Sequence, residues 1–140
     1  MIARRSLSAI VVAAGVALLA PGSAAACSCL PLSPERVRSS DAAVIAKLER
    51  VRADDSGLDG TFVYRVRRAL VGGRLERGDR LRVQSALNSA ACGLSQQRRR
   101  YGLVLDRDSG RWSTSLCSQT TPDALRALAR GEPRRSGHYC

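Results

Sequence analysis

The sequence predicts a small all-β domain with one or two short helices and a disulfide framework. Three observations carry this prediction: about five strand-like segments at short intervals, five cysteines among 140 residues, and one helical pattern late in the chain. Short strands separated by turn residues are typical of closed or nearly closed barrels, and a five-stranded OB-fold barrel fits best. A two-sheet sandwich is the alternative that the pattern leaves open.

The first 26 residues have the pattern of a secretory signal peptide. A basic start precedes an apolar run over 8–20, and Ala24, Ala25 and Ala26 supply the small residues of a cleavage site. The apolar run is shorter than the roughly 20 residues of a transmembrane helix. We therefore expect a secreted protein, extracellular or periplasmic, whose mature chain of 114 residues begins at Cys27. Cleavage removes two arginines and no acid, so the formal charge falls from +11 to +9.

The remaining elements follow in order along a predicted domain over 27–131. An extended, proline-containing arm leads into a short helix that begins at Ser33-Pro34-Glu35, where serine caps and proline opens the first turn. Five segments have strand patterns, and they are 42–51, 61–70, 80–85, 101–105 and 111–116. Alternation predicts that Phe62, Tyr64 and Val66 share one face of the second strand and that Leu81 and Val83 of the third point inward. A helix over 122–130 ends at Gly131, and 132–140 is expected to be a basic tail.

Five cysteines in a short exported chain indicate structural disulfides, because oxidising compartments preserve them. The odd number leaves at least one thiol unpaired or paired outside the chain. The spacing alone does not determine which cysteines pair. It does place two of them, Cys27 and Cys29, at the expected mature terminus.

Several motifs resemble the amino-terminal domain of the tissue inhibitors of metalloproteinases, within the wider netrin-like superfamily. They follow in the family's order, and they are Cys27-Ser28-Cys29 after the signal peptide, Ser33-Pro34-Glu35, the segment 40–47, the connector-like segment 89–95, Tyr101-Gly102-Leu103-Val104 and Ser115-Leu116-Cys117. The resemblance extends to about Thr121, and the chain is similar to bacterial single-domain members of the superfamily.

The resemblance implies an OB-fold barrel with disulfides Cys27–Cys92 and Cys29–Cys117. It also implies that the Cys27 amine and carbonyl chelate the catalytic zinc of a target zinc metalloendopeptidase, while Ser28 enters the specificity pocket. A catalytic zinc keeps one coordination position open for such a ligand. The implied contact residues are Cys27, Ser28, Cys29, Leu30, Ala90, Ala91, Cys92 and Gly93.

The chain departs from the family at its third disulfide. The first of those two positions falls among Arg38, Ser39 and Ser40, and none of them is cysteine. Cys140 would then be left without its partner, and it could link two chains as a disulfide dimer.

The other polar motifs predict ordinary surface features, and we expect neither an enzyme nor a resident metal or cofactor. His138 is expected to be a solvated tail residue. Asp106, Asp108 and Gly110 resemble the start of a calcium loop, but Cys117 stands at the twelfth position where that loop needs glutamate, so a hairpin turn is predicted. The basic run at 96–100 lacks an aromatic ladder, which argues against specific nucleic-acid binding.

Two alternatives to the inhibitor remain. The first is a non-inhibitory netrin-like binding module whose basic surface contacts polyanions or cell wall. The second is a surface lipoprotein acylated on Cys27. Ala24 stands where that signal prefers a large aliphatic residue, and acylation would block the amine that zinc chelation needs.

Overall fold

The computed structural model describes residues 27–132 of the chain. The predicted signal peptide, most of the predicted tail, His138 and Cys140 lie outside the described residues. Within 27–132 no helix is long and apolar enough to cross a membrane.

Six strands, two α-helices and two 3₁₀ turns make up the described fold. The strands are β1 Ala42–Ala53, β2 Asp59–Val71, β3 Arg80–Ala86, β4 Arg100–Asp108, β5 Arg111–Ser113 and β6 Gln119–Thr120. The α-helices are α1 Pro34–Arg38 and α2 Pro122–Ala129, and the 3₁₀ turns are η1 Ser89–Ala91 and η2 Leu116–Ser118.

Five of the strands close into a mixed barrel. The strand order is β1-β2-β3-β5-β4, and β4 pairs back onto β1. The β3–β5 pair is parallel, whereas the other pairs are antiparallel. The short β6 adds to β4 outside this ring. The predicted OB-like barrel is confirmed, and the sandwich alternative was wrong.

The alternation read from the sequence sets which side chains fill the barrel. Phe62, Tyr64 and Val66 of β2 lie in the core with Leu81 and Val83 of β3, as predicted. These positions recur every second residue, because successive side chains of a strand point to opposite faces. The intervening arginines of β2 therefore point away from the barrel core.

A second, smaller core lies between the outside of the barrel and the two helices. It is formed by Leu32, Val37, Ala43, Ile45, Val104, Leu125 and Leu128. Thr121 caps α2 by accepting a hydrogen bond from the backbone N–H of Ala124, at 3.3 Å. This core fixes the far end of the arm, since Leu32 is buried in it.

The predicted fifth strand is shorter in the structure than in the sequence analysis. It ends at Ser113 rather than at 116, and Leu116 belongs to η2. The Thr114 hydroxyl donates a hydrogen bond to the carbonyl of Val104 at 2.7 Å and so turns the chain. This turn brings Cys117 to Cys29, with which it forms a disulfide. Strand propensity does not predict the early end of β5, because it depends on this tertiary contact.

Packing and polar contacts, rather than a disulfide, hold α1 beside the start of β1. Val37 is fully buried in the second core, and Arg36 forms an ion pair with Asp106. The Ser40 hydroxyl donates to the carbonyl of Val37 at 2.7 Å, and Asp41 accepts from the backbone N–H of Arg107 at 2.7 Å. The start of β1 is therefore anchored without a covalent bond.

Candidate functional site

The amino-terminal arm is extended and lies on the protein surface. Cys27 is half-buried, whereas Ser28, Cys29, Leu30 and Pro31 are exposed. Leu30 is 88% exposed. The arm therefore presents side chains to solvent until Leu32 enters the second core.

Two disulfides attach the arm to the barrel. Cys27 is bonded to Cys92 and Cys29 to Cys117, with Cα–Cα distances of 5.5 Å and 5.1 Å. This is the pairing that the family resemblance implied. Because the bonded residues are two apart, the backbone of Ser28 is fixed on both sides while its side chain remains exposed.

The first bridge ends on a tightly turned connector, residues 88–93. The Asn88 side chain accepts from the backbone N–H of Ala91 at 2.7 Å, and the Cys92 N–H donates to the carbonyl of Ser89 at 3.2 Å. Cys92 itself adopts a left-handed backbone conformation, with φ 57°. Such a conformation is uncommon for a residue with a Cβ and persists where its surroundings enforce it.

Gly93 allows the connector to lie against the end of β3. A Cβ at this position would meet the carbonyl oxygen of Ala86 at 2.2 Å and that of Asn88 at 2.5 Å. Gly93 is itself buried, whereas Ala90 and Ala91 are exposed. Among the predicted contact residues, Gly93 therefore shapes the connector and the two alanines offer its surface.

Two hydrogen bonds, one between backbone groups and one to a side chain, join the segments that carry Cys92 and Cys117 into one support. The N–H of Leu116, beside Cys117, donates to the carbonyl of Cys92 at 3.1 Å. The Gln119 side chain accepts from the N–H of Ser95 at 3.0 Å. The two arm cysteines are therefore bonded to segments that are hydrogen-bonded to each other.

The turn between β1 and β2 borders the connector, and sequence analysis did not assign it to the site. The N–H of Leu87 donates to the carbonyl of Leu58 at 2.9 Å, and the Leu58 side chain is 67% exposed. The Asp54 carboxylate organises this turn by accepting from Ser56, and that hydrogen bond lowers the pKa of Asp54. The available sequence signal for this turn was Leu58, a large apolar residue that follows polar turn residues.

The structure offers no resident metal site within 27–132. No group of three or more histidine, cysteine, aspartate or glutamate side chains is placed there to hold an ion. In the calcium-like segment, Asp106 is paired with Arg36, and residues 106–113 form the predicted hairpin.

No protein-family model matches the chain, and no curated protein matches it either. Two residues of an exposed arm are covalently fixed to one hydrogen-bonded support, and the residue between them faces solvent. Such an arrangement suits the insertion of a stiff segment into a partner's cleft.

Proposed function

We propose that this protein is a secreted inhibitor of zinc endopeptidases that acts through its mature amino terminus. The observation that carries the proposal is the double anchoring of the arm, with Ser28 exposed between Cys27 and Cys29. An arm that is rigid before binding loses little conformational entropy when a partner holds it. Inhibition of this kind needs the arm to be exposed and fixed at once.

The proposed chemistry uses backbone atoms of Cys27. After cleavage behind Ala26, the α-amine and the carbonyl of Cys27 form a two-atom chelator. A catalytic zinc with three protein ligands keeps a fourth position for water or substrate, and the chelator would occupy it. Ser28 would then extend into the neighbouring substrate pocket. The protein would therefore act as a binder without catalysis or a cofactor of its own.

The connector and the arm supply the surface around the chelator. Ala90 and Ala91 are exposed on one side, and Leu30 continues the arm on the other. The arrangement agrees with the likeness to the tissue inhibitors of metalloproteinases seen in the sequence. Secretion is supported by the cleavage-site pattern and by the two disulfides, which persist in oxidising compartments.

A paired titration tests the proposal. Oxidised protein that begins at Cys27 is titrated against a panel of zinc endopeptidases, beside a matched variant with one alanine added before Cys27. The extra residue moves the amine away from the chelating position and leaves the described fold unchanged. We expect inhibition of at least one enzyme by the first protein and at least a hundredfold weaker inhibition by the second. Equal inhibition by both, or inhibition by neither with both disulfides verified, contradicts the proposal.

The mass of the exported protein's first peptide distinguishes the lipoprotein alternative. A free amine on Cys27 agrees with the inhibitor. A diacylglyceryl adduct on Cys27 excludes it, because the cysteine side chain could no longer bond to Cys92 and amine acylation would block chelation.

A further inference from the structure

Four cationic residues occupy directly paired positions across four neighbouring strands. Lys47 of β1 pairs with Arg65 of β2 on one side and with Arg100 of β4 on the other, and Arg65 pairs with Arg80 of β3. Paired residues of antiparallel strands point to the same face, here away from the core. With strands about 4.8 Å apart, this basic row spans roughly 14 Å.

Further arginines extend the row along the strands. Arg50 and Arg82 both pair with Val63, and Arg52 follows at the next outward position of β1. Val63 is only 3% exposed although it belongs to neither core, and the alkyl stems of flanking arginines can cover such a residue while their charged ends reach water. The basic face is defined here as Lys47, Arg50, Arg52, Arg65, Arg80, Arg82 and Arg100.

One carboxylate lies among these cations. Glu49 stands at the irregularity in β1 between Leu48 and Arg50, where it accepts from the Nε of Arg65 at 2.9 Å and lies 3.8 Å from the Nε of Arg80. The hydrogen bond from Arg65 holds the pKa of Glu49 below its ordinary value. Within residues 27–132 the other five cations of the basic face form no ion pair with a carboxylate.

This arrangement disfavours the folded barrel. Like charges placed directly opposite one another across strands are destabilising, and the basic row contains three such pairs. Outward positions of these strands do not all carry charge, since the outward pair that follows Val63 and Arg82 is the neutral Thr61 and Gln84. A surface that costs stability in the free protein and gains counter-charges on binding is typical of a functional site.

We propose that the basic face binds an extended anionic polysaccharide, independently of the amino-terminal arm. Six of its seven cations are arginine, whose planar fork matches sulfate, phosphate and carboxylate oxygens. Among the described residues, no exposed aromatic ring lies on the face to stack bases. The exposed large apolar side chains in that part of the chain are Leu30 and Leu58, which lie on the arm and the β1–β2 turn and not on this face. The two disulfides are typical of exported proteins, which meet the charged polysaccharides of cell surfaces.

The test measures binding of a heparin decasaccharide to the full mature protein over a range of salt concentrations. The test variant carries three substitutions on the face, Lys47→Gln, Arg80→Gln and Arg82→Gln. Arg65 is retained because it also donates to the carbonyl of Gly78, at 3.0 Å. At 0.15 M salt we expect the Kd to rise at least tenfold, and the slope of log K against log salt to fall by about two to three.

The matched control loses the same charge elsewhere, through Arg38→Gln, Arg111→Gln and Arg130→Gln. These exposed arginines lie on α1, on β5 and after α2, outside the basic face. We expect its Kd to rise less than threefold. If the two triple variants lost equal affinity for the decasaccharide, binding would depend on net charge alone, and the proposal would be overturned.

Two further probes test the class of partner. Single-stranded DNA of equal charge and phosphatidylglycerol vesicles should bind the parent protein at least tenfold more weakly than the decasaccharide. Tighter binding of either probe would overturn the polysaccharide assignment.

Thermal melting verifies that the face variant folds. Its melting temperature should be no lower than that of the parent, because the substitutions remove like-charge pairs. Its inhibition of a zinc endopeptidase should equal that of the parent.

Discussion

The arm and the barrel are held in different ways. The barrel is held by burial: its strands enclose a continuous apolar core, and the second core attaches the helices to it. The arm from Cys27 to Pro31 buries little and depends on two covalent bonds and on the hydrogen-bonded support beneath them. The contrast teaches that a segment can remain exposed and still be fixed in place when covalent bonds, rather than packing, hold it.

Removing the second disulfide should have the largest effect on this contrast. The double substitution Cys29→Ala and Cys117→Ala releases a bridge across 88 residues of sequence, which should cost about 4 to 5 kcal/mol of unfolding free energy on the chain-entropy account. The arm would also lose one of its two anchors. We expect at least a hundredfold weaker inhibition, measured well below the melting temperature. Unchanged inhibition by the folded variant would show that the second anchor is not needed.

Leu125→Ala provides the complementary change in the packed region. Leu125 is fully buried in the second core, and its truncation should cost about 2 to 5 kcal/mol of unfolding free energy. Inhibition should change less than threefold at a temperature where the variant is folded, because the disulfides of Cys27 and Cys29 hold the chelating end of the arm outside the second core. Denaturant unfolding and inhibition titration together check both expectations. A parallel loss of inhibition would mean that the two regions are not separable.

Gly93→Ala should affect the connector with a moderate loss of stability. The added Cβ would overlap backbone carbonyl oxygens of Ala86 and Asn88, so the connector must shift and carry Cys92 with it. We expect a cost of about 1 to 3 kcal/mol and at least tenfold weaker inhibition. Gly73→Ala is the control, because a Cβ there meets nothing within 4 Å. Similar inhibition by both variants would show that inhibition does not depend on the geometry of the connector.

The two regions should respond to acid in different pH windows. The α-amine of Cys27 must lose its proton to chelate, so inhibition should weaken as pH falls below roughly 8, by up to about tenfold per unit, after correction for the protease. In the barrel, Arg65 lowers the pKa of Glu49 from 4.5, so that carboxylate stabilises the fold above this value and the contribution is lost as pH falls below it. Melting and inhibition measured from pH 8 to pH 3 should therefore change separately. A common midpoint would contradict the distinction.

The sequence predicted the barrel more fully than the connector. Alternation in β2 placed Phe62, Tyr64 and Val66 inside because a strand's period of two is a local property. The paired positions of the basic row depend on register between distant strands, which no single segment encodes. The left-handed Cys92 and the turn at Leu58 beside the connector likewise arise from tertiary contacts. The disulfide pairing came from family resemblance, since cysteine spacing alone left it open.

Competition with a small hydroxamate on one inhibited protease tests most directly whether the arm reaches the zinc. A hydroxamate occupies the open coordination position, so it and the Cys27 amine cannot bind the same zinc together. We predict that the apparent inhibition constant of the protein rises in proportion to hydroxamate concentration and that no ternary complex forms. A stable ternary complex in which the protein's affinity is unchanged would show that the protein binds away from the metal, and would contradict this account.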